Sequence, residues 1–110
     1  MGKGLHLGEF EQLVLLAVAR CQGEGYGVTI RRELERRARR RASVAAVYGT
    51  LERLVAKGYL STHLGEATPQ RGGRAKQYYR LQPAGVRALI ASRRALDRMW
   101  EDLDLGVVPG

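Results

Sequence analysis

Residues 43–60, SVAAVYGTLERLVAKGYL, hold a complete helix signal. Ser43 is a residue type that caps a helix start, because its hydroxyl accepts from a free amide of the first turn. Val44, Val47, Tyr48, Leu51, Leu54 and Val55 recur at the three- and four-residue spacing of one helical face. Gly58 stands where a helix stops, since glycine enters the left-handed region without a Cβ clash. Opposite the apolar stripe the pattern places Ala45, Ala46, Gly49 and Thr50, with Arg53 and Lys57 one turn further on.

Upstream, Phe10, Leu13, Val14, Ala17, Val18 and Cys21 follow helical spacing and predict a first helix. Leu15 and Leu16 fall outside that stripe. A helix apolar on more than one side is either central to its own core or shared with a second subunit, and the residues leave both open. QGEGYG at 22–27 is a glycine-punctuated turn, after which Ile30, Leu34 and Ala38 mark a second, basic helix.

Downstream, YLSTHLGEA and QYYRLQ read as two strands, and TPQRGGRAK between them as the turn of a hairpin with a long basic tip. Alternation puts Tyr79 and Leu81 on one face and Tyr78 and Arg80 on the other. Pro83 then opens a final helix predicted over 83–105, proline being tolerated at a first helical position. Leu89, Leu96 and Leu103 recur along it every seven residues, beside Met99 and Trp100; such a stripe covers either its own core or a partner helix.

The fold class that follows is mainly α with a small β-hairpin, a winged helix-turn-helix plus a C-terminal helix. The expected division is a winged unit over 1–82, the helix over 83–105 and a tail over 106–110. The chain of 110 residues suffices for one core and not for two independent ones.

Charge points to the partner. The net charge is +8 and the pI about 10.4. Seven arginines against two glutamates fall in residues 31–42, and four cations against Glu66 in residues 61–82. Positive charge gathered in two segments fits a face that docks on a polyanion, whereas a solubilising surface intersperses its signs. In a winged arrangement the third helix enters the major groove of double-stranded DNA. Its small side chains allow close approach, and Ala or a Thr methyl can touch a thymine methyl. The same small residues would equally serve packing against another element; the positive second helix and wing tip favour DNA. Arg71, Arg74 and Lys76 would reach phosphate, with Gly72 and Gly73 supplying the backbone freedom of the tip.

Other classes find less support. No paired carboxylates, nucleophile–base motif or phosphate loop is present, so no enzyme, catalytic residue or cofactor is expected. Cys21 is the one cysteine, and with His6 and His63 it offers no metal-ligand spacing. The apolar run LVLLAVA at 13–19 is too short to span a bilayer and lacks a basic leader, so a cytoplasmic protein without a membrane partner is expected. A non-specific or architectural nucleic-acid-binding protein is the main alternative. Adjacent Tyr78 and Tyr79 point to opposite strand faces, which argues against a base-stacking platform for RNA.

GEFEQLVLLAVAR, GYGVTIRREL, SVAAVYGTLERLVAKGYL and GGRAKQYYRLQPAG together make the chain similar to the PadR family of bacterial transcriptional regulators, over about residues 8–100. The joint occurrence of VYGTLERL with GGRAKQYYRL carries the resemblance. It implies a homodimeric repressor on an inverted-repeat operator, of the short subfamily with a single C-terminal dimerisation helix. DNA-facing positions would be Ser43, Ala45, Ala46, Tyr48, Gly49 and Arg53, with Arg71, Gly72, Gly73, Arg74 and Lys76 in the wing; Thr50 and Lys57 join them from the reading of the helix face. Packing of the last helix on the partner's first helix would bury Leu13, Leu16, Leu89, Leu96, Met99, Trp100 and Leu103, and would assign Leu15 to the dimer as well. An effector, if the protein has one, would lie between subunits against Met99 and Trp100. Gln82 departs from the threonine that often precedes Pro-Ala-Gly in this pattern, and is a poorer cap.

Overall fold

A computed structural model of the chain describes residues 7–65 and 76–106. The elements run α1 (Glu9–Arg20), α2 (Gly27–Arg37), α3 (Val44–Ala56), β1 (Leu60–Leu64), β2 (Gln77–Leu81) and α4 (Pro83–Trp100). α1 to α3 pack on one another, and β1 and β2 form an antiparallel hairpin with Leu60 opposite Leu81 and Leu64 opposite Gln77. The Tyr79 amide donates to the Gly25 carbonyl at 2.9 Å, so the turn before α2 joins the hairpin by one bridge. This is the winged helix-turn-helix expected from the sequence. Of the expected wing tip, Arg71, Gly72, Gly73 and Arg74 lie outside the described residues.

Ser43 caps α3 as its residue type predicts, its hydroxyl accepting from the Ala46 amide at 3.0 Å. Gly58 follows the helix at φ +80°, a left-handed angle that would strain any side chain. The core gathers Val14, Leu15 and Val18 of α1, Ile30 and Leu34 of α2, Val47, Leu51 and Leu54 of α3, and Leu60, Tyr79 and Ala88 beyond them. Tyr79 is buried and Leu81 packs against the core while Arg80 faces solvent, so the expected strand faces hold.

Four details differ from the sequence reading. Val44 and Tyr48 are exposed, and the buried face of α3 is Val47, Thr50, Leu51 and Leu54. Leu15 is fully enclosed in its own chain's core, leaving Leu16, 47% exposed, as the outward leucine of α1. Leu13 is partly covered by the same core. α4 ends at Trp100, not 105: Glu101 turns to extended backbone and Asp102 takes φ +57°, so Leu103 lies past the helix and the heptad stripe is interrupted.

α4 is anchored at one end only. Pro83 fills its first turn, the Gln82 side chain donates to Ser61 instead of capping, and Gly85 and Ala88 are the buried residues. From Arg93 to Trp100 every residue is exposed, including Leu96 at 55%, Met99 at 75% and Trp100 at 58%. The Cα radius of gyration, 16.3 Å, exceeds the about 13 Å of a compact chain of this length, as a projecting helix requires.

Candidate nucleic-acid interface

The outer face of α3 is made of small residues, and nothing among the described residues covers it. Ser43, Ala45 and Ala46 are exposed and Gly49 is half-exposed, which gives the first two turns a low, smooth profile beside the Ser43 cap. The Ser43 hydroxyl spends one lone pair on Ala46 and keeps its own proton for another acceptor. Arg53, the next residue along this face, has a side chain 60% exposed.

Thr50 corrects the sequence reading. Its side chain is 2% exposed and points into the core, so it is no part of the outward face. Its Oγ1 instead accepts from Arg53 Nη2 at 3.0 Å. Lys57, at the C-terminal end of α3, donates from Nζ to Glu11 Oε2 at 3.0 Å while its side chain stays 41% exposed. Arg53 Nε lies 3.9 Å from the same carboxylate oxygen. Burial alone would raise the Glu11 carboxyl, but the Gly8 amide, the Lys57 ammonium and the Arg53 guanidinium more than offset it and hold the group below its ordinary value. Sequence reasoning did not find Glu11, because the cations it pairs with, Arg53 and Lys57, lie more than forty residues away.

The root of the wing is an aromatic cluster. The Tyr78 ring stacks on His63 with centroids 5.4 Å apart and meets the Tyr26 ring edge-on at 5.7 Å. Lys76 Nζ sits 4.4 Å from the centroid of the Tyr26 ring and 3.4 Å from its hydroxyl, a cation–π arrangement that ties this wing cation to the start of α2. In the sequence this cluster leaves no sign beyond the GYG that holds Tyr26, and His63 figures there only as a candidate metal ligand.

That GYG is where α2, α3 and the wing meet. Gly25 bridges to Tyr79, Tyr26 carries Tyr78 and Lys76, and a Cβ on Gly27 would fall on the hydroxyl and ring of Tyr48. Tyr48 therefore lies across the start of α2, half-exposed at 40%. Gly27→Ala should lower the unfolding free energy by about 1–3 kcal/mol through overpacking. In a Tyr48→Ala background the same change should be neutral or stabilising, since alanine is the better helix former. Equal costs in the two backgrounds, measured by denaturant unfolding, would show that the contact is not the cause.

Basic residues flank this face. Arg31 donates to the Ala42 carbonyl at 3.2 Å, Arg40 pairs with Glu9 at 2.7 Å and Arg36 with Glu33 at 2.7 Å. Arg32, Arg37, Arg39 and Arg41 add no ion pair among the described residues. Cys21 is half-buried beside Thr29, and burial pushes its thiol up, which disfavours the reactive thiolate. Among the described residues no His, Cys, Asp and Glu group could hold a metal ion, and no helix is long and apolar enough to cross a membrane.

A sequence profile described as the Transcriptional regulator PadR-like family matches residues 15–91, most of the winged unit and the first half of α4. The chain belongs to this family. A PadR-like chain of this kind is a transcriptional regulator that binds DNA, and it is not an enzyme. It is 40% identical over 85 residues to the transcriptional regulator Rv3488 of Mycobacterium tuberculosis, covering 76% of this chain and 73% of that protein. Solved structures share the fold. A transcriptional regulator from Clostridium thermocellum superposes with a TM-score of 0.68 at 18% identity, covering 83% of this chain and 85% of that one. A PadR family regulator from Clostridium difficile gives 0.67 at 19%, covering 84% and 95%.

The apolar residues expected in a PadR-like dimer separate into two places. Leu13 and Leu16 line a groove of about 240 Å³ between α1 and α2, with Ala17 and Leu34 at its floor and Arg20, Glu33 and Arg37 around it. Leu96, Met99 and Trp100 stand on the free half of α4. Leu89 is partly buried against its own core, and Leu103 is exposed beyond the helix. The hollow beside Trp100 is lined by Arg94, Asp97 and Arg98 of α4 and by Glu101 just past it, so among the described residues its other walls are charged.

Proposed function

We propose that this PadR-like regulator is a homodimeric repressor that acts in the bacterial cytoplasm by covering an inverted-repeat operator. Its α3 enters the major groove and its wing lies along the adjacent backbone or in the minor groove. The observation that carries this reading is the bare outer face of α3, where Ala45, Ala46, Gly49 and Arg53 are open beside the root of a basic hairpin. Ser43 and Tyr48 flank that face, and Arg71, Gly72, Gly73, Arg74 and Lys76 belong to the wing. Residues 1–82 form the DNA-binding unit, and α4 is the dimerisation arm with residues 106–110 as a tail. Exposed Leu16, Leu96, Met99 and Trp100 support self-association, because a stripe of large apolar side chains left in water favours a partner surface.

Footprinting of the DNA flanking its own gene, followed by titration of the protected duplex and a random duplex, tests the reading. Specific binding should exceed random binding by about 10³-fold or more at physiological salt. Equal affinities with a steep salt slope would instead identify a non-specific or architectural protein. Arg74→Ala should weaken binding to both duplexes and reduce the salt slope by about one, as the loss of one phosphate contact does. Unchanged affinity and slope would remove the wing from the interface.

A further inference from the structure

We propose that Thr50 and Glu11 are positioning residues that hold Arg53 as a reader of a guanine edge, an inference that rests on the DNA-binding function above. Long side chains on a helix lean toward its N-terminus, and two polar contacts hold the Arg53 side chain in that direction beside Gly49. Nη2 donates to Thr50 Oγ1 at 3.0 Å, Nε lies 3.9 Å from Glu11 Oε2, and a Cβ on Gly49 would stand 3.9 Å from Nη1. The guanidinium is thereby laid back over Gly49, toward the small-residue turns that face the groove, while the side chain stays 60% exposed and within reach of DNA.

Thr50 cannot touch DNA itself, since its side chain is 2% exposed. It is the buried polar residue among the described core positions, and its hydroxyl meets a donor from a side chain that extends into solvent. Valine has the same shape and would fill the space without a polar atom, so the hydroxyl's structural effect is on Arg53. Glu11 completes the arrangement from α1. Its side chain is only 14% exposed, and besides drawing Arg53 it binds Lys57 at 3.0 Å, so the two cations of this helix end share one carboxylate. Of the two, the more exposed is Arg53, whose guanidinium is oriented by its hydrogen bond to Thr50. Arginine pairs bidentately with guanine O6 and N7, and such a pair discriminates only when the fork is held in plane.

The test uses the full-length protein, its footprinted operator and a series of operators in which each G·C pair of a half-site is replaced in turn. Wild type should discriminate against one such replacement by roughly 5- to 100-fold. Arg53→Ala should abolish that preference, and Thr50→Val should reduce it at the same pair, whereas Thr50→Ser, which keeps the hydroxyl, should retain it. In an Arg53→Ala background Thr50→Val should have no further effect. Glu11→Gln should raise affinity for random duplex and steepen the salt slope by about one as Lys57 is released. Circular dichroism at the assay temperature checks that each variant is folded, and the Val/Ser pair at position 50 decides the matter if the Glu11 variant is not. Wild-type discrimination in Thr50→Val, or effects of Thr50→Val and Arg53→Ala that simply add, would overturn the proposal. Wild type that fails to prefer its operator to random duplex would overturn instead the DNA-reading function on which it stands.

Discussion

Leu16→Glu is expected to leave the chain folded as a monomer and to weaken operator binding by about 10²-fold or more, because the second half-site contact then loses its tether. Leu16 is 47% exposed at the rim of the groove between α1 and α2, so within a single chain a glutamate there meets water and costs little. In a two-fold dimer each substitution counts twice. In the dimer proposed above, a carboxylate under the partner's α4 would lose its hydration, and the unpaired charge would carry a penalty of several kcal/mol. The groove offers partial relief through Arg20 and Arg37, which is why the effect is placed at about two orders of magnitude instead of complete loss. Sedimentation velocity gives the mass, and titration of the whole operator against a single half-site gives the affinity. A variant that remains dimeric with wild-type affinity would mean that α1 does not carry the interface.

What could be read from the chain in advance was what local chemistry decides. The start and stop of α3 depend on Ser43 and Gly58 within a few residues of the helix, and the two faces of β2 depend on alternation alone. The order of helices and hairpin follows from such signals, and so does the resemblance to PadR regulators. Thr50 was misplaced because its polarity hid its position. Val47, Thr50, Leu51 and Leu54 are themselves spaced by three and four, so they form as good a helical face as the stripe through Val44 and Tyr48. Which of two overlapping faces, sharing Val47, Leu51 and Leu54 and turned about 50° apart at 100° per residue, is buried depends on what α1 and β1 bring to the helix. The pairing of Glu11 with Lys57 spans 46 residues and leaves no periodic mark. The end of α4 at Trp100 has no glycine or proline to announce it; the chain turns through Asp102 at φ +57°, an angle that aspartate tolerates better than most side chains. The wing tip was legible as composition, and its Arg71, Gly72, Gly73 and Arg74 lie outside the described residues.

Leu15 and Leu16 are neighbours with the same side chain in opposite environments, one buried and one exposed, and the matching substitution at Leu15 checks what that difference means. Leu15 is 0% exposed, and α1 is the helix that α2, α3, β2 and α4 all contact. Leu15→Ala therefore opens a hole in a layer braced on several sides, where collapse is limited and the cavity term adds to the lost transfer energy. The expected cost is about 2–5 kcal/mol. Against a total stability of about 5–15 kcal/mol for a domain, that brings the protein close to its folding threshold. The melting temperature should fall by about 10–20 °C, from the enthalpy and entropy typical of a chain this size. Since the cavity lies inside one chain, the loss should be the same at two protein concentrations tenfold apart, and the dimerisation constant measured below the transition should be unchanged. For Leu16→Glu the opposite holds: association fails while the folded monomer survives. If Leu15→Ala instead weakened association and left the unfolding midpoint in place, α1 would have to be rotated by about 100° from the position described, with Leu15 outward and Leu16 in the core.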